Sequence, residues 1–164
     1  MNITLIGMPG VGKSTIGKIL AKEINYSYLD IDDIIESKDN KKLQKVLSDL
    51  GDEKFIIREE KEVLDLQNIA NSIISTGGSI VYSEKAMDHL KKISKVIYLS
   101  CSIDQLKRRI NNSSSRGIVG IKIKSFEELF AERTQLYKKY SDFEIDCESL
   151  DQKKIISKIK GLIK

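Results

Sequence analysis

At 164 residues, with 40% hydrophobic and 32% charged residues, the chain has the length of one compact domain and enough apolar surface to build its core. This balance excludes a disordered chain and a disulfide-stapled mini-protein, and no apolar run approaches the length of a membrane span. The net charge of +4 suits an anionic small molecule as well as nucleic acid, so charge alone selects no partner.

In chain order, short apolar runs alternate with longer helical patterns, which is how βαβ units around a buried parallel sheet read. A strand over 3–6 leads into a glycine-rich loop and a helix over 13–24. The opening run is too short for a signal-peptide core, so a cytoplasmic location is expected. A second strand at 27–29 precedes helices over 32–37, 41–49 and 52–69, judged by apolar period and Gly, Asn or Ser punctuation. Strands at 72–75 and 95–99 flank a helix at 83–92, and a helix at 102–110 follows. The segment 111–124 has neither period, opens with polar turn formers and contains Arg116, so it reads as a mobile lid or as a plain linker. A helix at 125–140, a strand at 143–145 and an amphipathic helix at 151–162 complete the chain. Cys101 and Cys147 lie beside apolar runs without metal-ligand spacing and are expected to be reduced and buried; His89 receives no role.

Gly7-Met8-Pro9-Gly10-Val11-Gly12-Lys13-Ser14 matches the pattern G-x-x-x-x-G-K-S/T between a strand and a helix, the context that motif requires. The glycines allow a tight turn that aims N–H groups at phosphate oxygens, and the following helix adds the positive end of its dipole. Lys13 is expected on the phosphates and Ser14 on Mg²⁺, with Gly10, Val11, Gly12 and Thr15 completing the cradle, so ATP with Mg²⁺ is the expected ligand.

Asp30 and Asp32 stand at the carboxyl end of the second strand, where ligands of open α/β sheets collect. Two apart in an extended segment, they point the same way: Asp30 toward the Mg²⁺ shell and Asp32 toward substrate hydroxyls, with helix capping as the alternative. Arginine is scarce, with five residues, and its planar fork suits carboxylate or phosphate. Arg58 is either such a group or the i,i+4 partner of Glu62, and Arg133 is either a binding residue or paired with Glu128 or Glu132. Thr76-Gly77-Gly78-Ser79 after the third strand permits close backbone approach to a ligand or makes a simple tight turn.

These residues together resemble the shikimate kinases, within the nucleoside-monophosphate-kinase-like P-loop proteins, along essentially the whole chain. The resemblance is carried in order by 7–15, Leu29 to Asp32, 55–60, 75–79, 96–99, Ser115-Arg116 and Glu132 to Tyr137. It implies a three-layer P-loop kinase fold with a five-stranded parallel sheet, a substrate-binding helical region at about 31–62, and a lid at about 111–124. It further implies transfer from ATP to shikimate in chorismate and aromatic amino-acid biosynthesis. Lys13 and Ser14 match the family's phosphate lysine and Mg²⁺ hydroxyl, Asp30 its metal-side aspartate, and Asp32 its aspartate on the substrate hydroxyls. Arg58 and Arg133 match its carboxylate-binding pair, Gly77 and Gly78 its substrate-side glycines, Arg116 its lid arginine, and Arg109 an arginine near adenine. Lys13, Asp32 and Arg116 are thereby the expected catalytic set. Ser79 stands where the family's glycine triplet ends, Gly117 where proline is common, and Thr134-Gln135 in place of a frequent x-Pro pair. The alternatives are a related gluconate or nucleotide kinase, or a non-catalytic nucleotide-binding regulator. Nucleic-acid and membrane partners are not expected, and a monomer is.

Overall fold

The computed structural model describes residues 1–112 and 117–163. Five strands, β1 (Asn2–Ile6), β2 (Ser27–Asp30), β3 (Ser72–Ser75), β4 (Ser94–Ser100) and β5 (Phe143–Asp146), form one parallel sheet in the order β2-β3-β1-β4-β5. Every residue of β1 is buried, as expected of a central parallel strand covered on both faces. Its polar groups are satisfied internally: Asn2 Nδ2 donates to the carbonyls of Ile69 and Ile93, and Thr4 Oγ1 lies 2.6 Å from Ser94 Oγ.

The described helices are α1 (Lys13–Ile24), α2 (Ile31–Asp39), α3 (Leu43–Leu50), α4 (Asp52–Leu64), α5 (Glu84–Ile93), α6 (Ile103–Asn112), α7 (Phe126–Tyr140) and α8 (Gln152–Leu162). They agree with the sequence reading to within a few residues, with two informative differences. The helix expected over 52–69 stops at Leu64; Leu66 and Ile69 continue its apolar period and still pack on the core, but Asn68 is left-handed at φ 56°. A single 3₁₀ turn at Ile80–Tyr82, too short to leave a period, sits between β3 and α5.

The segment expected to be a lid or linker is only partly irregular. Its first two residues finish α6, and 119–124 is a run of turns ending in a bend, with Ile118 and Val119 buried. Gly120 N donates to Asp52 Oδ2 at 3.0 Å, tying that run to the start of α4. α7 opens with a reciprocal capping box between Ser125 and Glu128, which fixes where the helix starts and therefore which of its faces meets the sheet. Tyr137 on that face stacks on Tyr98 of β4 with ring centroids 5.0 Å apart. His89 is half-buried and its Nε2 lies 2.9 Å from the Leu66 carbonyl, so it ties α5 to the chain after α4.

Candidate active site

Gly10 and Gly12 hold φ of 84° and 107°, values that let the chain turn between β1 and α1 and that side chains rarely tolerate. Gly12 is the N-cap of α1 and supplies no side chain to its first N–H groups; a Cβ there would meet nothing within 4 Å. The helix terminus thus faces open space as an anion site does. Lys13 is buried, its Nζ donating to the carbonyls of Gly7 at 2.8 Å and Met8 at 3.1 Å. Ser14 Oγ donates to Asp30 Oδ2 at 2.8 Å, and the Tyr28 hydroxyl donates to the same oxygen at 2.7 Å. Burial first and the Asp30 carboxyl second push the Tyr28 hydroxyl well above the usual phenol range, so it stays a donor.

Asp30 also accepts from Asp32 N at 3.1 Å through Oδ1, as the N-cap of α2. Asp30 therefore caps α2 through one oxygen and holds the Ser14 and Tyr28 hydroxyls through the other. The extended spacing expected for the two aspartates does not hold: β2 ends at Asp30, so Asp32 lies in the first turn of α2. Asp32 nonetheless lines the cavity beside the phosphate loop, whereas Asp30 stays behind Ser14.

That cavity has a volume of about 310 Å³, at the lower end of small-molecule sites. One end is the phosphate loop, with Gly10, Gly12, Lys13, Ser14 and Thr15; Arg109 closes it from α6, its Nη1 donating to the Val11 carbonyl at 3.1 Å. The other end is built by Asp32, by Phe55 and Glu59 of α4, by 76–79, and by Arg133 of α7. Val11 is in the core, and only its backbone belongs to the loop.

Arg133 is 1% exposed. Its Nη2 donates to the Val119 carbonyl at 2.6 Å, its Nε to the Tyr82 hydroxyl at 3.3 Å, and the guanidinium lies over the Tyr82 ring. One helical turn on, Tyr137 donates to the Gly78 carbonyl at 2.7 Å, so a single face of α7 both offers the guanidinium and holds the glycine loop. Burial drives the Tyr137 hydroxyl well above the phenol range, which keeps that donor in place.

Arg58 is not brought to the cavity with the other expected site residues. It does not line the cavity; its guanidinium donates to Glu62 and, at 2.9 Å, to Asp39 Oδ1, joining α4 to α2. The Glu62 alternative is the one realised, because Phe55 and Glu59 lie on the face of α4 that meets the cavity and Arg58 sits to one side of it. Burial alone would raise Glu62, but bonds from Lys38 and Arg58 hold its carboxyl below the usual range. Arg116 lies outside the described residues.

Reading the sequence missed Glu59 and Tyr82, and saw Ser79 only as the end of the glycine turn. Glu59 is fully buried, its Oε2 accepting from the Ser79 hydroxyl. Burial, then the neighbouring Asp32, push it up to about 8 against the pull of Ser79, Arg133 and Lys13. The only signal was an acidic residue at the helical spacing of Phe55. Cys101 and Cys147 are buried thiols, raised by burial to about 11 and about 12.

A phosphate loop facing a buried guanidinium and a carboxyl pair across one small cavity defines a P-loop phosphotransferase with a compact polar acceptor. The family model for shikimate kinase matches residues 9–164. A shikimate kinase of Staphylococcus aureus is 37% identical over 165 residues, covering 99% of this chain and 93% of that protein. One from a Sulfurihydrogenibium species is 31% identical over 163 residues, with 99% and 98% covered. The solved structure of the Acinetobacter baumannii shikimate kinase in complex with shikimate superposes with a TM-score of 0.86 at 25% identity, covering 99% of this chain and 92% of that one. The chain belongs to the shikimate kinase family, and its five-stranded parallel sheet flanked by helices is that family's P-loop kinase fold. No helix among the described residues is long and apolar enough to cross a membrane.

Proposed function

We propose that this chain transfers the γ-phosphoryl group of ATP to a hydroxyl of shikimate, giving ADP and shikimate 3-phosphate. The observation that carries the reading is that one 310 Å³ cavity is lined at once by Lys13 and Ser14 and by Asp32 and the buried guanidinium of Arg133. The family match and the shikimate in the Acinetobacter relative support the choice of acid.

Arg133 binds the acid's carboxylate, because a desolvated guanidinium held by Tyr82 and Val119 presents a fixed donor fork. Asp32 orients the hydroxyls and receives the proton of the one that attacks. The hydroxyl oxygen bonds to the γ-phosphorus as the bond to the ADP oxygen breaks. Lys13 and the N–H groups of the phosphate loop offset negative charge on the transferred group. Ser14 Oγ and Asp30 Oδ2 form a hard-oxygen pair that would hold Mg²⁺, which would supply neutralisation of phosphate charge. Arg116 is assigned to the phosphates by its family position, and Arg58 to joining α2 and α4.

ADP release by the purified protein with ATP and Mg²⁺, compared across shikimate, gluconate, nucleoside monophosphates and no acceptor, tests the assignment. Stimulation by shikimate alone is expected. Stimulation by gluconate or a nucleotide instead would move the chain's activity to that substrate.

A further inference from the structure

Glu59 and Ser79 line the cavity without a part in the mechanism above. Glu59 is fully buried on α4, and its Oε1 has no hydrogen-bond partner among the described residues. A buried carboxyl oxygen left in that state is destabilising unless something else completes it. The other oxygen, Oε2, is held by the Ser79 hydroxyl, itself only 4% exposed.

Where Oε1 points is fixed by Gly77. A Cβ on Gly77 would lie 2.0 Å from Glu59 Oε1 and 3.0 Å from Asp32 Oδ1, so both oxygens approach one point over that glycine. At the next residue, a Cβ on Gly78 would lie 3.2 Å from Arg133 Nη1. Two adjacent glycines therefore carry carboxyl oxygens over one and a guanidinium over the other. This pattern matches a small polyhydroxy acid, with hydroxyls toward the first position and carboxylate toward the second.

We infer that Glu59 is a second hydroxyl-binding carboxyl of the acceptor site, and that Ser79 is the positioning residue that turns its Oε1 toward the acid. The inference rests on the phosphotransferase reading given above. Ser79 occupies the position where the family pattern ends in glycine, and glycine has no hydroxyl to make this contact. Arg133 and Asp32 alone fix the carboxylate and the attacking hydroxyl; Glu59 adds a contact to another hydroxyl, which sets the ring's rotation about the line joining those two. The contact is strongest with an ionised carboxylate, because its oxygens only accept. Glu59 faces Asp32 from α2, Lys13 from the phosphate loop and Arg133 from α7, and the Ser79 bond favours its ionised form against burial and Asp32.

The test is initial-rate kinetics of Ser79→Ala and Ser79→Gly between about pH 6 and 10, with shikimate and ATP varied separately and thermal stability recorded first. Loss of the Ser79 bond is expected to raise KM for shikimate about tenfold in both variants while KM for ATP stays within about twofold. The limb of kcat/KM for shikimate that rises with pH should move to higher pH, a displacement that looser packing alone would not produce. Unchanged KM for shikimate with an unmoved limb overturns the inference, as does an equal rise for both substrates or loss of folding in both variants. A wild-type protein that shikimate does not stimulate overturns the phosphotransferase assignment and this inference with it. A stimulated wild type with indifferent variants overturns this inference alone.

Discussion

Glu59→Gln removes the titrating carboxyl at the centre of the site while keeping its shape and its place beside Ser79. In the folded protein the Glu59 carboxyl holds its proton up to about 8, against an ordinary value of 4.5, through burial first and Asp32 second. Between those values the native state binds a proton that the unfolded chain has released. Stability is therefore fully present below about pH 4.5 and is withdrawn as pH rises toward 8, at about 1.4 kcal/mol per unit. For a chain of this length that is about 3–5 °C of Tm per unit. Thermal unfolding without ligands, in buffers from about pH 5 to 8, measures it. Wild type should lose Tm across this range, and Glu59→Gln should lose much less. Parallel Tm–pH curves for the two proteins would refute the reasoning.

Gly77→Ala places a methyl group 2.0 Å from Glu59 Oε1, which displaces that carboxyl and Asp32 together. It should lower kcat/KM for shikimate at least about tenfold and stability by about 1–3 kcal/mol; wild-type kinetics would contradict the crowding. Arg58→Ala breaks the links to Glu62 and Asp39 and should lower stability by about 1–2 kcal/mol while leaving KM for shikimate unchanged; a raised KM would return Arg58 to the acid site. Arg116→Ala should lower kcat far more than it weakens shikimate binding, and an unchanged kcat would end its assignment to the phosphates. Cys101 and Cys147 should resist alkylation near neutral pH until the protein unfolds, since burial holds both thiols protonated; rapid labelling of the native protein would show otherwise.

The sheet and the phosphate loop were legible in the sequence because each depends on local pattern. A strand such as β1, buried on both faces, leaves a continuous apolar run, and the loop's glycines, lysine and hydroxyl stand at fixed spacing. The end of α4 was not, because Leu66 and Ile69 keep the apolar period after the backbone has left the helix. Arg58 and Glu59 show the limit for the site. They are neighbours in sequence, yet a step of one residue on a helix turns Arg58 toward Asp39 and Glu62 and leaves Glu59 lining the cavity. Ser79 was visible only as a departure from a glycine pattern; its bond to Glu59, twenty residues earlier, exists only once β3 lies beside the helices. Tyr82 sits on a single 3₁₀ turn that brings its hydroxyl and ring to Arg133.

The most direct test of the account compares turnover of shikimate with that of its methyl ester, in wild type and in Arg133→Ala. If the buried guanidinium reads the carboxylate, wild type should prefer the acid by about 100-fold in kcat/KM, and Arg133→Ala should lose most of that preference by failing on the acid. Equal use of acid and ester by wild type, or a preference that survives in Arg133→Ala, would contradict the assignment of this cavity to the acid.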